Sequence, residues 1–264
     1  MRFTKMQALG NDYLYIFDEP PSDVAELAVK LSDRRFGVGA DGLIYILPSA
    51  VADYGMRIFN ADGSEGMMCG NGIRCVGKYL YDKGYTDKAF LRIETASGIR
   101  MLHLHTAGGK VREVTVDMGD AEVSEDRRLT VSAGTFLLTP VSVGNPHAVI
   151  FVPDNGTPDV ERFGGEISAH PSFPGGVNVE AAKVLSENSI RMRVWERGSG
   201  VTAACGTGAC AAAAAAVSKG LCRADAPLSV ILDGGALEII VSKDLRVTMT
   251  GGAETVYEGE IALC

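Results

Sequence analysis

The 264-residue chain predicts an α/β fold, more closely α+β: two pseudo-symmetric duplicated domains, each a mixed β-sheet around one principal helix. The motif Met68-Cys69-Gly70-Asn71-Gly72 recurs as Ala204-Cys205-Gly206-Thr207-Gly208, an offset of 136 (205 − 69). Other landmarks keep nearly that spacing. Leu9-Gly10-Asn11 matches Val143-Gly144-Asn145 at 134; Arg57-Ile58-Phe59 matches Arg193-Val194-Trp195 at 136. Lys83-Gly84 matches Lys219-Gly220 at 136, Gly98 matches Gly234 at 136, and Val114-Thr115-Val116 matches Val247-Thr248-Met249 at 133. A drift of a few residues over a whole chain marks a duplication; the last slip is assigned to a shorter turn at Lys243-Asp244. Between landmarks, alternating apolar and polar residues predict strands, and each copy carries one long helix-permissive run.

In chain order, residues 23–34 read as a surface helix opened by Pro21-Ser22. Residues 43–47 read as a strand. Residues 73–83 form the first long helical run, stopped by Gly84, and 209–219 the second, stopped by Gly220, since glycine is the usual residue after a helix end. Strands are expected at 92–95, 101–104, 111–117 and 237–241. Residues 209–217 place alanine or valine on every helical face, which predicts burial all round with the sheet wrapped about the helix.

Gly37-Val38-Gly39-Ala40-Asp41-Gly42 satisfies G-x-G-x-x-G, but a strand rather than a helix follows it, so it reads as a turn. His103 and His105 share a strand face without a third ligand and read as ordinary strand residues; no metal site is expected. Asn155-Gly156-Thr157 reads as a loop.

A composition of 46% hydrophobic and 22% charged residues is that of a protein with a substantial core. There is no apolar run of membrane-spanning length and no signal-peptide core after Met1, so a cytoplasmic location is expected. Six cysteines without the spacing of a secreted scaffold read as free thiols in a reducing compartment. A net charge of −8 without a basic cluster argues against nucleic acid and anionic membranes as partners. An anionic ligand would be met by helix N-termini and single arginines.

Cys75, Cys210, Cys222 and Cys264 read as small buried hydrophobes. Cys69 and Cys205 differ, because each opens a helix where unpaired N–H groups and the helix dipole favour an anion and lower a thiol's pKa. Two related domains commonly meet about a pseudo-two-fold axis, which would set the two thiols face to face across an active-site cleft. Opposed acid and base are what inversion at a carbon requires: one thiolate removes a proton from one face while one thiol donates to the other. For an amino-acid α-carbon the charge developing on the carboxylate must be stabilised, and two helix N-termini supply preorganised donors. Neither metal nor pyridoxal is then required.

Met68-Cys69-Gly70-Asn71-Gly72-Ile73-Arg74-Cys75, Trp195-Glu196-Arg197-Gly198-Ser199-Gly200 and Ala204-Cys205-Gly206-Thr207-Gly208 resemble the signatures of the diaminopimelate epimerases. So do Gly10-Asn11-Asp12, Phe59-Asn60-Ala61-Asp62-Gly63-Ser64, Gly144-Asn145-Pro146-His147 and Val177-Asn178-Val179-Glu180. The resemblance implies domains at 1–113 with 255–264 and at 114–254, the last strand, 256–263, returning to the first. It also implies a cofactor-independent epimerase interconverting LL- and meso-2,6-diaminopimelate in lysine and peptidoglycan-precursor synthesis. Cys69 and Cys205 become the acid–base pair, with Cys205 favoured as base toward the LL isomer. Gly70-Asn71 and Gly206-Thr207 would hold the reacting carboxylate; Asn11, Asn60, Asn145, Asn178, Glu196 and Arg197 would bind substrate; His147 and Glu196 would orient it beside the thiols. A homodimer with Tyr257 near its interface is implied. Two positions depart from the family: Gly42, often glutamine, and Val201, commonly glutamate.

The nearest rival is a proline racemase-like enzyme, in which histidine usually replaces Asn71 and Arg197 has no evident use. A thiol–disulfide redox protein would predict electron transfer without α-proton exchange, and a non-catalytic binding protein would tolerate alanine at both cysteines.

Overall fold

The chain forms, in order, β1 (Arg2–Ala8), β2 (Asn11–Phe17), α1 (Val24–Ser32), β3 (Gly42–Leu47), β4 (Tyr54–Asn60), β5 (Glu65–Gly66), α2 (Gly70–Asp82), β6 (Phe90–Thr95), β7 (Gly98–Ala107), β8 (Lys110–Asp120), β9 (Glu122–Val123) and β10 (Arg127–Val131). There follow β11 (Gly134–Ser142), β12 (Pro146–Phe151), a 3-10 turn at Val160–Arg162, α3 (Gly164–Ser168), β13 (Asn178–Ser186), β14 (Ser189–Glu196), β15 (Gly200–Thr202), α4 (Gly206–Ser218), β16 (Pro227–Leu232), β17 (Gly235–Val241), β18 (Arg246–Gly252) and β19 (Glu254–Glu260). The structure is a computed structural model and describes residues 1–153 and 158–262. Cys264, Asn155-Gly156-Thr157 and the end of the expected 256–263 strand lie outside the described residues.

Two units divide the chain, Met1–Val116 with Gly251–Cys264 and Asp117–Thr250. In the first, the strands lie in the order β19-β1-β2-β3-β4-β6-β7-β8, parallel at β2–β3 and β4–β6 and antiparallel elsewhere. In the second the order is β9-β11-β12-β13-β14-β16-β17-β18, parallel at β12–β13 and β14–β16. The duplication therefore holds at the level of strand direction. It holds for register too: Tyr15 pairs with Ile44 and Ile44 with Ile58, as Val149 pairs with Glu180 and Glu180 with Val194. The last strand, β19, runs antiparallel beside β1.

Each unit is organised around its long helix. Ala209–Ala216 of α4 are buried, and the helix touches β9, β11, β12, β13, β14, β16 and β17, so the sheet wraps it as the all-apolar helix surface required. In α2 the same close approach rests on Gly77, where a Cβ would lie 2.8 Å from Leu104 Cδ2. Small residues on the helix leave the volume to the branched side chains of the strands, each of which contributes about 1.5–3 kcal/mol when fully buried. The helix α1 is one-sided: Leu27, Ala28 and Leu31 pack with Leu14, Leu43 and Phe59 while the other face is wet.

Two sequence alignments shift. The residue equivalent to Gly98 is Gly235, not Gly234, because each opens the second strand of its hairpin, opposite Thr95 and Leu232 respectively. Nor is the later slip absorbed by a shorter turn at Lys243-Asp244: that turn spans 242–245 against 108–109 in the first unit, and the shortening lies in β17, seven residues against ten in β7. Period-two patterning does not report where a strand stops when both ends are solvated. His103 stacks on Phe90 with ring centroids 4.3 Å apart, and His105 Nε2 meets Thr115 Oγ1 at 2.7 Å, so both serve the strand pair.

Candidate active site

Cys69 is the N-cap of α2 and Cys205 the N-cap of α4. Each is extended, and each sulfur accepts the N–H of the glycine three residues on, Gly72 at 3.3 Å and Gly208 at 3.4 Å. These glycines provide space. A Cβ at Gly72 would meet Ile44 Cδ1 at 2.6 Å, and one at Gly208 would meet Glu180 Oε1 at 2.7 Å. The N–H groups of Gly70-Asn71 and Gly206-Thr207 open the two helices, where an anion is favoured.

In the first unit, Asn11 begins β2 and its Nδ2 donates to Asp41 Oδ2 at 2.7 Å. That bond fixes the amide, so Asn11 Oδ1 faces the sulfur and accepts from the Cys69 thiol at 3.4 Å. Asn71 is buried, and its Oδ1 accepts from Arg74 Nη2 at 2.9 Å. Arg74, itself fully buried, also donates from Nη1 to Gly70 O at 3.1 Å and from Nε to Gly252 O at 3.3 Å. It was missed in the sequence, although an arginine within an otherwise buried helix face was the available signal. Asn60 is less engaged with the helix start: its Nδ2 donates to Ser64 Oγ at 3.0 Å within its own turn. Gly42 is a close approach rather than a truncated contact, since a Cβ there would lie 2.2 Å from Phe59 O. Glutamine at this place needs a different backbone path.

The second unit gathers more of the expected residues. Asn145 Nδ2 donates to Thr207 Oγ1 at 3.3 Å, and Thr207 Oγ1 lies 3.4 Å from Cys205 Sγ. Asn145 Oδ1 faces His147 Nε2 at 3.0 Å, and His147 Nδ1 lies 2.6 Å from Glu180 Oε1. His147 and Glu180 are both buried. Glu196 accepts from Thr202 Oγ1. Asn178 and Arg197 form a separate pair, Arg197 N donating to Asn178 Oδ1 at 2.8 Å while its Nη1 donates to Gly175 O at 2.8 Å from an exposed position. Val201 pairs with Trp195 and packs on the apolar cluster of Phe163 and Ile167, so this departure falls on packing.

One electrostatic expectation is overturned. The helix start was expected to lower the thiol pKa, yet burial, followed by the Glu196 and Glu180 carboxylates, pushes the Cys205 thiol well above its ordinary value. Low dielectric and two like-signed neighbours outweigh a helix terminus whose field falls off within a turn. Burial likewise raises the Glu196 carboxyl against the bond it accepts from Thr202. The other buried thiols behave as small hydrophobes. Cys75 is pushed up to about 11 by burial, and Cys210 and Cys222 are buried.

Solved structures share this fold. A hydroxyproline epimerase from Agrobacterium vitis superposes with a TM-score of 0.76 at 21% identity, covering 100% of this chain and 92% of that one. A Bacillus anthracis phenazine biosynthesis protein of the PhzF family gives 0.78 at 18%, covering 100% and 99%. At such identities the likeness is one of fold. The family model for diaminopimelate epimerase matches residues 3–124 and 139–256. A diaminopimelate epimerase of Phocaeicola vulgatus is 49% identical over 100% of this chain and 99% of its own length, and one of Desulfovibrio desulfuricans is 48% identical over 98% of each. The chain belongs to the diaminopimelate epimerase family.

Proposed function

We propose that this protein epimerises 2,6-diaminopimelate between its LL and meso forms by a two-thiol mechanism. The observation that carries this is the placement of Cys69 and Cys205 as N-caps of equivalent helices in a chain 49% identical along its whole length to a diaminopimelate epimerase. The copies are proposed as 1–113 with 255–264 and 114–254.

One thiolate takes the α-hydrogen and leaves an electron pair on the α-carbon, delocalised into the carboxylate. The other thiol gives its proton to the opposite face and becomes the thiolate. Negative charge building on the carboxylate is met by the N–H groups of Gly70-Asn71 and Gly206-Thr207, donors already fixed by the helices. Arg74 supports this arrangement, because its bonds to Gly70 O and Asn71 Oδ1 hold the first donor pair in place. Asn11, Asn60, Asn145, Asn178, Glu196 and Arg197 are the proposed contacts to the two amino-acid ends, with Arg197 on a carboxylate. His147 and Glu196 steer the substrate beside Cys205. A second copy of this chain is proposed as partner, supported by the exposure of Val256 and Tyr257 on β19.

Incubation with LL-diaminopimelate in deuterated water tests the reading. Deuterium should appear at one α-carbon together with the meso isomer. Electron transfer without α-exchange would replace it with the redox reading, and a higher kcat/KM for proline than for diaminopimelate would replace it with the racemase reading.

A further inference from the structure

The turn at 37–42 holds no dinucleotide, yet Asp41 within it joins two loops that carry expected substrate asparagines. Its main chain ties them together: Asp41 N donates to Asp12 O at 2.7 Å, and Asp41 O accepts from Ala61 N at 3.0 Å. Its side chain is an acceptor on every side. Oδ2 accepts from Asn11 Nδ2 at 2.7 Å and from Asp12 N at 3.0 Å, and Oδ1 accepts from Arg34 Nη2 at 2.8 Å. Arg34 also grips Asp12, through Nη2 to Oδ1 at 2.6 Å and Nη1 to Oδ2 at 3.2 Å, and Lys5 Nζ lies 2.9 Å from Asp12 Oδ2. Two cations and two carboxylates thus clamp the start of β2. An ionised carboxylate can only accept. The amide of Asn11 therefore has one orientation, nitrogen toward Asp41 and oxygen toward Cys69 Sγ at 3.4 Å.

The second unit lacks this device. Register places Val177 where the first unit has Asp41, and valine cannot hold an amide. Asn145 is held the other way, its oxygen meeting His147 Nε2 at 3.0 Å and its nitrogen donating to Thr207 Oγ1 at 3.3 Å.

We propose that Asp41 is a positioning residue for the epimerisation. By holding the Asn11 nitrogen it makes that amide present an oxygen beside Cys69, where the oxygen accepts from the ammonium group of the reacting amino-acid end, and Arg34 keeps the carboxylate turned to this task. The reversed amide would aim two N–H groups at an ammonium and repel it. The role in turnover rests on the diaminopimelate reading; the fixing of the amide does not.

Heteronuclear NMR of the labelled full-length enzyme reads the amide directly. The side-chain NH2 signals of Asn11, assigned by their loss in Asn11→Ala, should exchange slowly with solvent in the parent. In Asp41→Ala they should exchange roughly tenfold faster, the effect of losing a hydrogen bond to a charged group. The same variant should lose roughly tenfold or more in kcat/KM for LL-diaminopimelate, because a misplaced group costs rate as well as binding. Asp41→Asn should stay within a few-fold of the parent in both readouts, since its amide oxygen can still accept from Asn11 while its nitrogen turns to the Arg34 side. In an Asn11→Ala background, Asp41→Ala should change kcat/KM by less than about twofold, because the carboxylate then has no amide to place. A purely structural role would cost the same activity in both backgrounds. Free exchange of the Asn11 amide in the parent, parental kcat/KM in Asp41→Ala, or an equal loss with and without Asn11 would overturn the proposal. If the parent leaves diaminopimelate untouched, the functional reading falls, and amide exchange still decides whether Asp41 fixes Asn11.

Discussion

The two glycines that bracket α4 serve different physical needs, and alanine at each should separate them. At Gly208 the added Cβ would lie 2.7 Å from Glu180 Oε1 and 3.4 Å from Cys205 Sγ. A carbon–oxygen contact relaxes near about 3.3 Å, so the carboxylate would have to retreat by roughly 0.6 Å. It is buried and held at 2.6 Å by His147, so it cannot retreat freely. Overpacking of this kind costs about 1–3 kcal/mol, offset by less than about 1 kcal/mol of helix propensity. A net loss of about 1–2 kcal/mol corresponds to a Tm lower by roughly 2–8 °C. At Gly220 a Cβ meets nothing within 4 Å, but φ is 67°, a conformation that costs a side-chain-bearing residue about 1–2 kcal/mol. The two variants should therefore lose similar stability. They should differ in activity: Gly208→Ala displaces groups around the sulfur and should lose at least about tenfold in kcat/KM, the effect of a barrier raised by about 1.4 kcal/mol, whereas Gly220→Ala should match the parent. Calorimetry with LL-diaminopimelate kinetics on the same preparations decides it. Wild-type kcat/KM in Gly208→Ala, or an equal loss in both, would refute the reasoning.

Alanine at Cys69 or Cys205 should abolish α-deuterium incorporation, while alanine at Cys75 or Cys222 should leave it within a few-fold of the parent; turnover by Cys69→Ala would remove the two-thiol mechanism. Arg197→Met should cost about 1.5–3 kcal/mol in kcat/KM, the scale of a hydrogen bond to a charged group, because Arg197 is exposed; an unchanged kcat/KM for diaminopimelate would take Arg197 out of the site. The Glu196 carboxyl is raised on folding, so the folded state holds the extra proton. Its contribution to stability is present below the ordinary carboxyl value and is lost as pH rises through the raised value. Glu196→Gln should flatten that limb in urea titrations run between pH 4 and 8, and an identical pH profile would count against burial as the cause.

Much of this architecture was legible because duplication writes each signal twice. A single Cys-Gly-x-Gly would have been weak evidence for a helix start, whereas two at an offset of 136, each followed by a helical run closed by Lys-Gly, fix both helices and both caps. The all-alanine face of α4 declared its burial before any sheet was assigned. What the sequence withheld was local. Hairpin arms can shorten without changing their period, which hid the equivalence of Gly98 with Gly235. Asn60 carries the same signature whether it binds a ligand or closes its own turn on Ser64, and Gly42 gave no sign that Phe59 O lies against it. The sign of the thiol shift was wrong because the helix terminus is visible in sequence, while the carboxylates that approach Cys205 come from strands 9 and 25 residues away (205 − 196 and 205 − 180).

The departures from symmetry gather around Cys205. Register makes Tyr13, Ile44 and Asn60 of the first unit the equivalents of His147, Glu180 and Glu196 of the second. The shared positions are the capping cysteines Cys69 and Cys205 and the asparagines Asn11 and Asn145. Even the amides are turned oppositely, because Asp41 takes the nitrogen of Asn11 and leaves its oxygen for Cys69, whereas His147 takes the oxygen of Asn145 and leaves its nitrogen for Thr207. A histidine and two glutamates in the second unit, against a tyrosine, an isoleucine and an asparagine in the first, give the two capping thiols different surroundings, and burial followed by the two carboxylates pushes the Cys205 thiol above its ordinary value.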